Sequence, residues 1–277
     1  MFSRRELPAD LETVRSTHAP DTPVLDADSD FETIPPAAAE DLGLFVDRLE
    51  PAGYPADWLP ADAPAVLDRY RGSTFTVGAP GDGTVVWTAQ TDPPTVICKR
   101  RAETTPEDFL AFLIARAFVE IGADVPEHFL PFFGDRYRDL DAAIRGPDVP
   151  GDLGPVDVYQ IANALFDAWV GLRTREIFAG WAGEHDRLHD AWVDAGERLT
   201  DRLEALPSRM ARGEMTFPDA TEYACSAVRH DLDLPTPFAA LDTATYADHG
   251  ADYAVRWAEK TFEALETSES SGTSESS

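Results

Sequence analysis

Residues 105–122 read TPEDFLAFLIARAFVEIG, and this stretch decides the fold class. Thr105 can cap a helix, Pro106 suits its first position, and Glu107 and Asp108 sit at the positive end of the helix dipole. Phe109, Leu110, Phe112, Leu113, Ile114, Phe118 and Ile121 cover most of the circumference, and Gly122 suits a left-handed stop. A helix this apolar belongs near the centre of a domain.

The segments downstream are helical too. A short helix is predicted over 135–144, and a long one within 155–181 with Ile161, Leu165, Phe166, Trp169 and Leu172 inward. Another runs over 184–206 on a stripe of Leu188, Trp192, Ala195, Leu199, Leu203 and Leu206. Two more are predicted over 218–230 and 243–265. Upstream, Ser73–Val77, Thr84–Thr88 and Thr95–Lys99 are β-rich and closely spaced, which predicts a three-stranded antiparallel meander after a short helix at 65–70.

Residues 1–60 are rich in Pro and Asp and read as an extended N-terminal arm carrying one short helix at 38–49, pinned by Tyr54, Trp58 and Leu59. Residues 61–266 form the single globular domain of this reading. Residues 267–277 hold Ser, Glu, Thr and Gly with no apolar side chain and read as a disordered tail. The fold class is therefore α+β and predominantly α-helical, with a small three-stranded antiparallel meander.

Composition sets the surroundings. Across 277 residues there are 51 acidic and 23 basic side chains, a net charge of −28. Asp outnumbers Glu 31 to 20, and Lys99 and Lys260 are the only lysines. Self-repulsion of this size opposes a compact state at low ionic strength, and molar salt shortens the Debye length to about 3 Å. The acids are spread along the chain and not gathered in a block, which fits a salt-filled cytoplasm better than nucleic-acid mimicry. The N-terminus lacks the apolar run of a signal peptide, and no stretch has the length of a membrane span. Cys98 and Cys225 form no C-x-x-C pair and read as apolar fillers of a reduced cytoplasmic protein.

Four candidate sites emerge. His185 and His189, at i and i+4, can present two imidazoles to one metal ion, with His128 or Asp167 as further members of an enzymatic or metal site in the helical core. The helical wheel places both at the border of a packing face, and the Glu of H-E-x-x-H is absent, which favours ordinary boundary histidines. Lys99-Arg100-Arg101, with Arg136, Arg138 and Arg145, could hold an anionic ligand or nucleotide; pairing with Glu103, Asp135, Asp139 and Asp141 is the plainer reading. Gly78, Gly81 and Gly83 join two strands and match no phosphate loop. Gln160, Asn163, Asp167 and Thr174 form a polar stripe that lines a pocket or, in the favoured reading, faces solvent. There is no G-x-S-x-G and no patterned Cys–His nucleophile.

The runs Pro106–Leu110, Pro126–Gly134 and Tyr159–Trp169 resemble a family of uncharacterised haloarchaeal proteins over roughly residues 60–265. The resemblance implies a salt-rich habitat and brings no activity, cofactor or catalytic residue. The function expected is that of a non-catalytic cytoplasmic protein that binds or regulates a protein partner, with the aromatic turn at Phe129–Phe133 as one contact surface. No cofactor is expected, and neither a membrane nor nucleic acid is the expected partner.

Overall fold

The computed structural model describes residues 1–31, 33–71, 75–78, 83–146 and 153–273. The chain is mostly helical with a small sheet, and it forms two compact units. The first comprises Met1–Tyr54, Ala65–His128 and Thr174–Ala195; the second comprises Pro55–Pro64, Phe129–Arg173 and Gly196–Ser277. The boundaries expected at 60 and 266 do not coincide with these.

In the first unit, strands β1 (Phe2–Arg4), β2 (Val24–Ala27), β4 (Val85–Thr88) and β6 (Thr95–Cys98) form one sheet in the order β1-β2-β6-β4. The expected β4–β6 antiparallel pair is present, with Val86 opposite Ile97. The sheet is mixed, however, and not a three-stranded antiparallel meander. β2 runs parallel to β6, with Leu25 opposite Ile97, and β1 adds antiparallel to β2. The third segment of the expected meander contributes only an isolated bridge from Thr76 to Thr33, and residues 73 and 74 lie outside the described residues. A second small pairing joins β3 (Arg48–Leu49) to β5 (Thr91–Asp92).

Residues 1–60 hold structure where an extended arm was expected. Their prolines mark helix starts: Pro8 precedes α1 (Ala9–His18), Pro35 precedes α2 (Pro36–Leu42), and Pro55 precedes a 3-10 turn at Ala56–Trp58. A residue with φ fixed near −65° suits those entry positions. Phe2, Leu25, Ile34, Leu42, Val86 and Ile97 are buried together as one core.

The apolar stretch at 105–122 forms α3 (Glu107–Gly122). Thr105 does not cap it; Pro106 is the N-cap residue and makes no side-chain cap bond. Gly122 is not a left-handed stop, because the positive φ falls on Asp124, at 51°. Glycine is needed at 122 for another reason, since a Cβ there would lie 2.4 Å from the His18 carbonyl oxygen. α3 packs on α1, β4 and β6. Phe112 meets the Phe178 ring edge-on at 5.5 Å, and Trp87 donates its indole N–H to Glu120 at 3.1 Å.

The remaining helices are α4 (Phe129–Phe133), α5 (Arg136–Arg145), α6 (Pro155–Ala179), α7 (Asp186–Ala211), α8 (Phe217–Val228) and α9 (Ala244–Thr273). α9 stays helical beyond 266 to Thr273, and residues 274–277 lie outside the described residues. It is kinked at Gly250, where φ is 48°. One turn before the kink, the Ala247 carbonyl accepts from the Trp169 indole N–H at 3.1 Å.

Candidate functional site

α9 also lines an apolar cavity of ligand-binding size. The Phe217, Phe238, Trp257 and Phe262 rings meet at centroid distances of 5.1–6.3 Å, which presses the 3-10 turn Phe238–Leu241 onto α9. Tyr253 donates its hydroxyl to the Ala240 carbonyl at 2.7 Å, and Trp257 donates its indole N–H to Pro237 at 3.2 Å. Both polar tips are thereby satisfied within the fold. Tyr253 stays half-buried and Trp257 is 5% exposed, so the lining takes part of the Tyr253 ring and the outer edge of Trp257.

The result is a groove of about 610 Å³, within the range of small-ligand pockets. Tyr253, Trp257, Thr261 and Ala264 line it at helical spacing along α9, facing Pro237 and Ala240. Arg256 and Lys260, one turn apart and both exposed, stand on the same lining. A second cavity, about 430 Å³, is lined by Leu199, Met215 and Tyr223 together with Arg209, Glu214, Asp219 and Glu222, so acidic side chains share its wall.

The residues singled out from sequence have other occupations. His185 packs edge-on against Trp181 at 6.2 Å and lies near His18, whose pKa is lowered by burial and then by the His185 charge. His189 faces Asp190 at 3.7 Å and the Trp192 ring at 5.8 Å. His128 is buried between the Tyr54 and Tyr70 rings, at 5.3 and 4.7 Å, and burial drives its pKa down to about 3. Asp167 pairs with the buried Arg229 of the second unit. Among the described residues, no group of three or more His, Cys, Asp or Glu side chains is placed to hold a metal ion.

Three of the arginines follow the plainer reading. Arg136 pairs with Asp139 and Asp252, Arg145 with Asp141 and Asp62, and Arg101 with Asp30. Arg100 and Arg101 belong to the first unit, and Arg136 and Arg138 to the second. Lys99 is no surface cation: it is 1% exposed, with its ammonium 5.8 Å from the Phe31 centroid. Of the glycine turn, residues 79–82 lie outside the described residues, and Gly78 donates its N–H to Glu127 at 3.1 Å.

The polar stripe of α6 is neither pocket nor solvent face where its partners are seen. Gln160 donates to Asp219 and Glu222 on α8, Asp167 meets Arg229, and Gly171 lets the Arg229 backbone approach. The aromatic turn at Phe129–Phe133 is core: Phe129 packs on Tyr137 and Tyr159, and Phe132 on Phe166 and Trp169. It offers no exposed contact surface of the kind expected.

Sequence reasoning missed two features. One is the α9 groove, whose signal was Arg256-Trp257 and Lys260 in an otherwise acidic segment. The other is Glu127, half-buried, which accepts from Gly78 N–H, Thr88 Oγ1, Ala89 N–H and Gln90 Nε2 at 2.9–3.1 Å. Burial pushes its pKa up to about 7 although all four donors favour the carboxylate.

These features define a mostly helical α+β protein with a small mixed sheet and an apolar groove on its last helix. The chain belongs to a family of unknown function, DUF7089, whose model matches residues 1–265. Comparison with the curated proteins gave no match, and neither did comparison with solved structures. No helix among the described residues is long and apolar enough to cross a membrane.

Proposed function

We propose that this protein is a non-catalytic binding protein of a salt-rich cytoplasm, and that the groove on α9 is its binding site. The groove carries this reading. It combines an aromatic floor, a ligand-sized volume and two cations in a chain of net charge −28. Two further observations support it: Asp167 pairs with Arg229, and His128 packs between Tyr54 and Tyr70. The even acidity and scarcity of lysine support the high-salt setting, as does the resemblance to haloarchaeal proteins.

The test is ligand-dependent stabilisation. Thermal unfolding is followed in molar KCl with fractionated small molecules and peptides, for the native protein and for Ala264→Trp. Ala264 is exposed on the groove wall, so the indole fills the groove without entering the core. A fraction that stabilises the native protein and not the variant supports the reading. Identical responses from both proteins in every fraction would sink it.

A further inference from the structure

The groove also specifies the chemistry of its occupant. We infer that it takes a small amphipathic anion: a flat or aliphatic body seated on Trp257 and Tyr253, with a carboxylate, sulfonate or phosphate at Arg256 and Lys260. This inference rests on the groove being a binding site.

The lining argues for each half of that ligand. From Tyr253 to Leu265 the groove follows about 18 Å of helix at 1.5 Å per residue, enough for an eight- to ten-carbon chain or two fused rings. The tips of Tyr253 and Trp257 are committed to Ala240 and Pro237, so the half-buried Tyr253 ring and the edge of the buried Trp257 offer apolar area and not unspent donors. Pro237, Ala240 and Ala264 supply more of the same surface. The orienting polar groups are then the hydroxyls of Thr236, Thr245 and Thr261 and the two cations.

Charge complementarity selects the sign. Arg256 and Lys260 are the two basic residues of α9, and Lys260 is one of two lysines in the chain. Side chains at i and i+4 lie about 6 Å apart at Cβ, a spacing that lets both reach one anionic head. Long-range attraction is absent at a net charge of −28, so the selectivity is local, through contact ion pairs that salt screens less than distant charges. The apolar body then supplies most of the affinity, since that contribution survives molar salt.

The probe is 8-anilinonaphthalene-1-sulfonate, an aromatic anion whose fluorescence rises on apolar binding, titrated into the native protein in 1 M KCl. Octanoate, octanol and octylammonium then compete for it. The expected result is one saturable site, with octanoate displacing the probe at about tenfold lower concentration than octylammonium, as two contact ion pairs would give. Arg256→Gln with Lys260→Gln removes that preference while octanol competes as before, and Ala264→Trp abolishes the site. Should the double variant fail to fold, the order of the three competitors on the native protein decides alone. Octylammonium as potent as octanoate, or more so, overturns the anion inference, and probe binding by Ala264→Trp as tight as by the native protein overturns the groove. Stabilisation by neutral or cationic fractions that Ala264→Trp alone loses would leave the binding reading standing and remove this inference.

Discussion

Gly122, at the end of α3, lies against the backbone of His18, at the end of α1, so closely that a Cβ would stand 2.4 Å from the His18 carbonyl oxygen. The obstacle is backbone and cannot rotate away. Helix propensity favours alanine over glycine by about 1 kcal/mol, and the clash opposes it. Gly122→Ala is therefore expected to destabilise by about 1–3 kcal/mol as α1 shifts. Denaturant unfolding in molar salt measures it. A variant as stable as the native protein would mean that α1 and α3 do not pack this way.

Asp167 faces the Arg229 guanidinium, whose side chain is 7% exposed against 28% for Asp167. Asp167→Asn removes the charge opposite a buried cation. The expected loss is about 1–3 kcal/mol, below that of a fully buried pair because Asp167 is partly wetted. A variant of unchanged stability would reopen Asp167 as a residue kept for chemistry.

Glu127 and His128 are neighbours with opposite pH signatures. Glu127 titrates near 4.5 when free and near 7 in the fold, so between those values the folded protein holds the extra proton. Its contribution is greatest below pH 4.5 and falls as pH rises through 7. His128 goes from 6.5 to about 3, so its contribution is full above 6.5 and is lost as pH falls towards 3. Above pH 6.5 Glu127 alone of the pair still acts. Glu127→Gln is expected to flatten the decline in urea midpoint between pH 6.5 and 8, and parallel curves for the two proteins would contradict it.

The net charge of −28 gives a fourth expectation. Circular dichroism should show a cooperative fold at molar KCl that is lost as salt is withdrawn, because unscreened carboxylates repel. Full folding in dilute buffer would remove the high-salt interpretation.

The helices were legible because their apolar residues recur locally at helical spacing, as in α3 and α7. The mixed sheet was not. β1 and β2 are three and four residues long, and β2 (Val24–Ala27) pairs in parallel with β6 (Thr95–Cys98), far along the chain. No local turn announces such a pairing, and the prolines at 8, 20, 23, 35 and 36 made the region resemble an arm when several of them mark helix entries. The histidines were visible but their neighbours were not, since Trp181 against His185 and Tyr70 against His128 are tertiary facts. Arg256, Trp257 and Lys260 carried a charge signal, yet the groove needs the turn at Phe238–Leu241 opposite them, which sequence spacing does not place.

Trp257 offers the most direct test of the binding groove. It is one of six tryptophans, and its indole N–H has its own resonance in a nitrogen–proton correlation spectrum of labelled protein. Octanoate titrated in 1 M KCl should move the Trp257 indole signal saturably while that of Trp87, hydrogen-bonded to Glu120 in the first unit, stays still. A Trp257 signal that stays in place as octanoate reaches millimolar levels would contradict the assignment of this groove as the binding site.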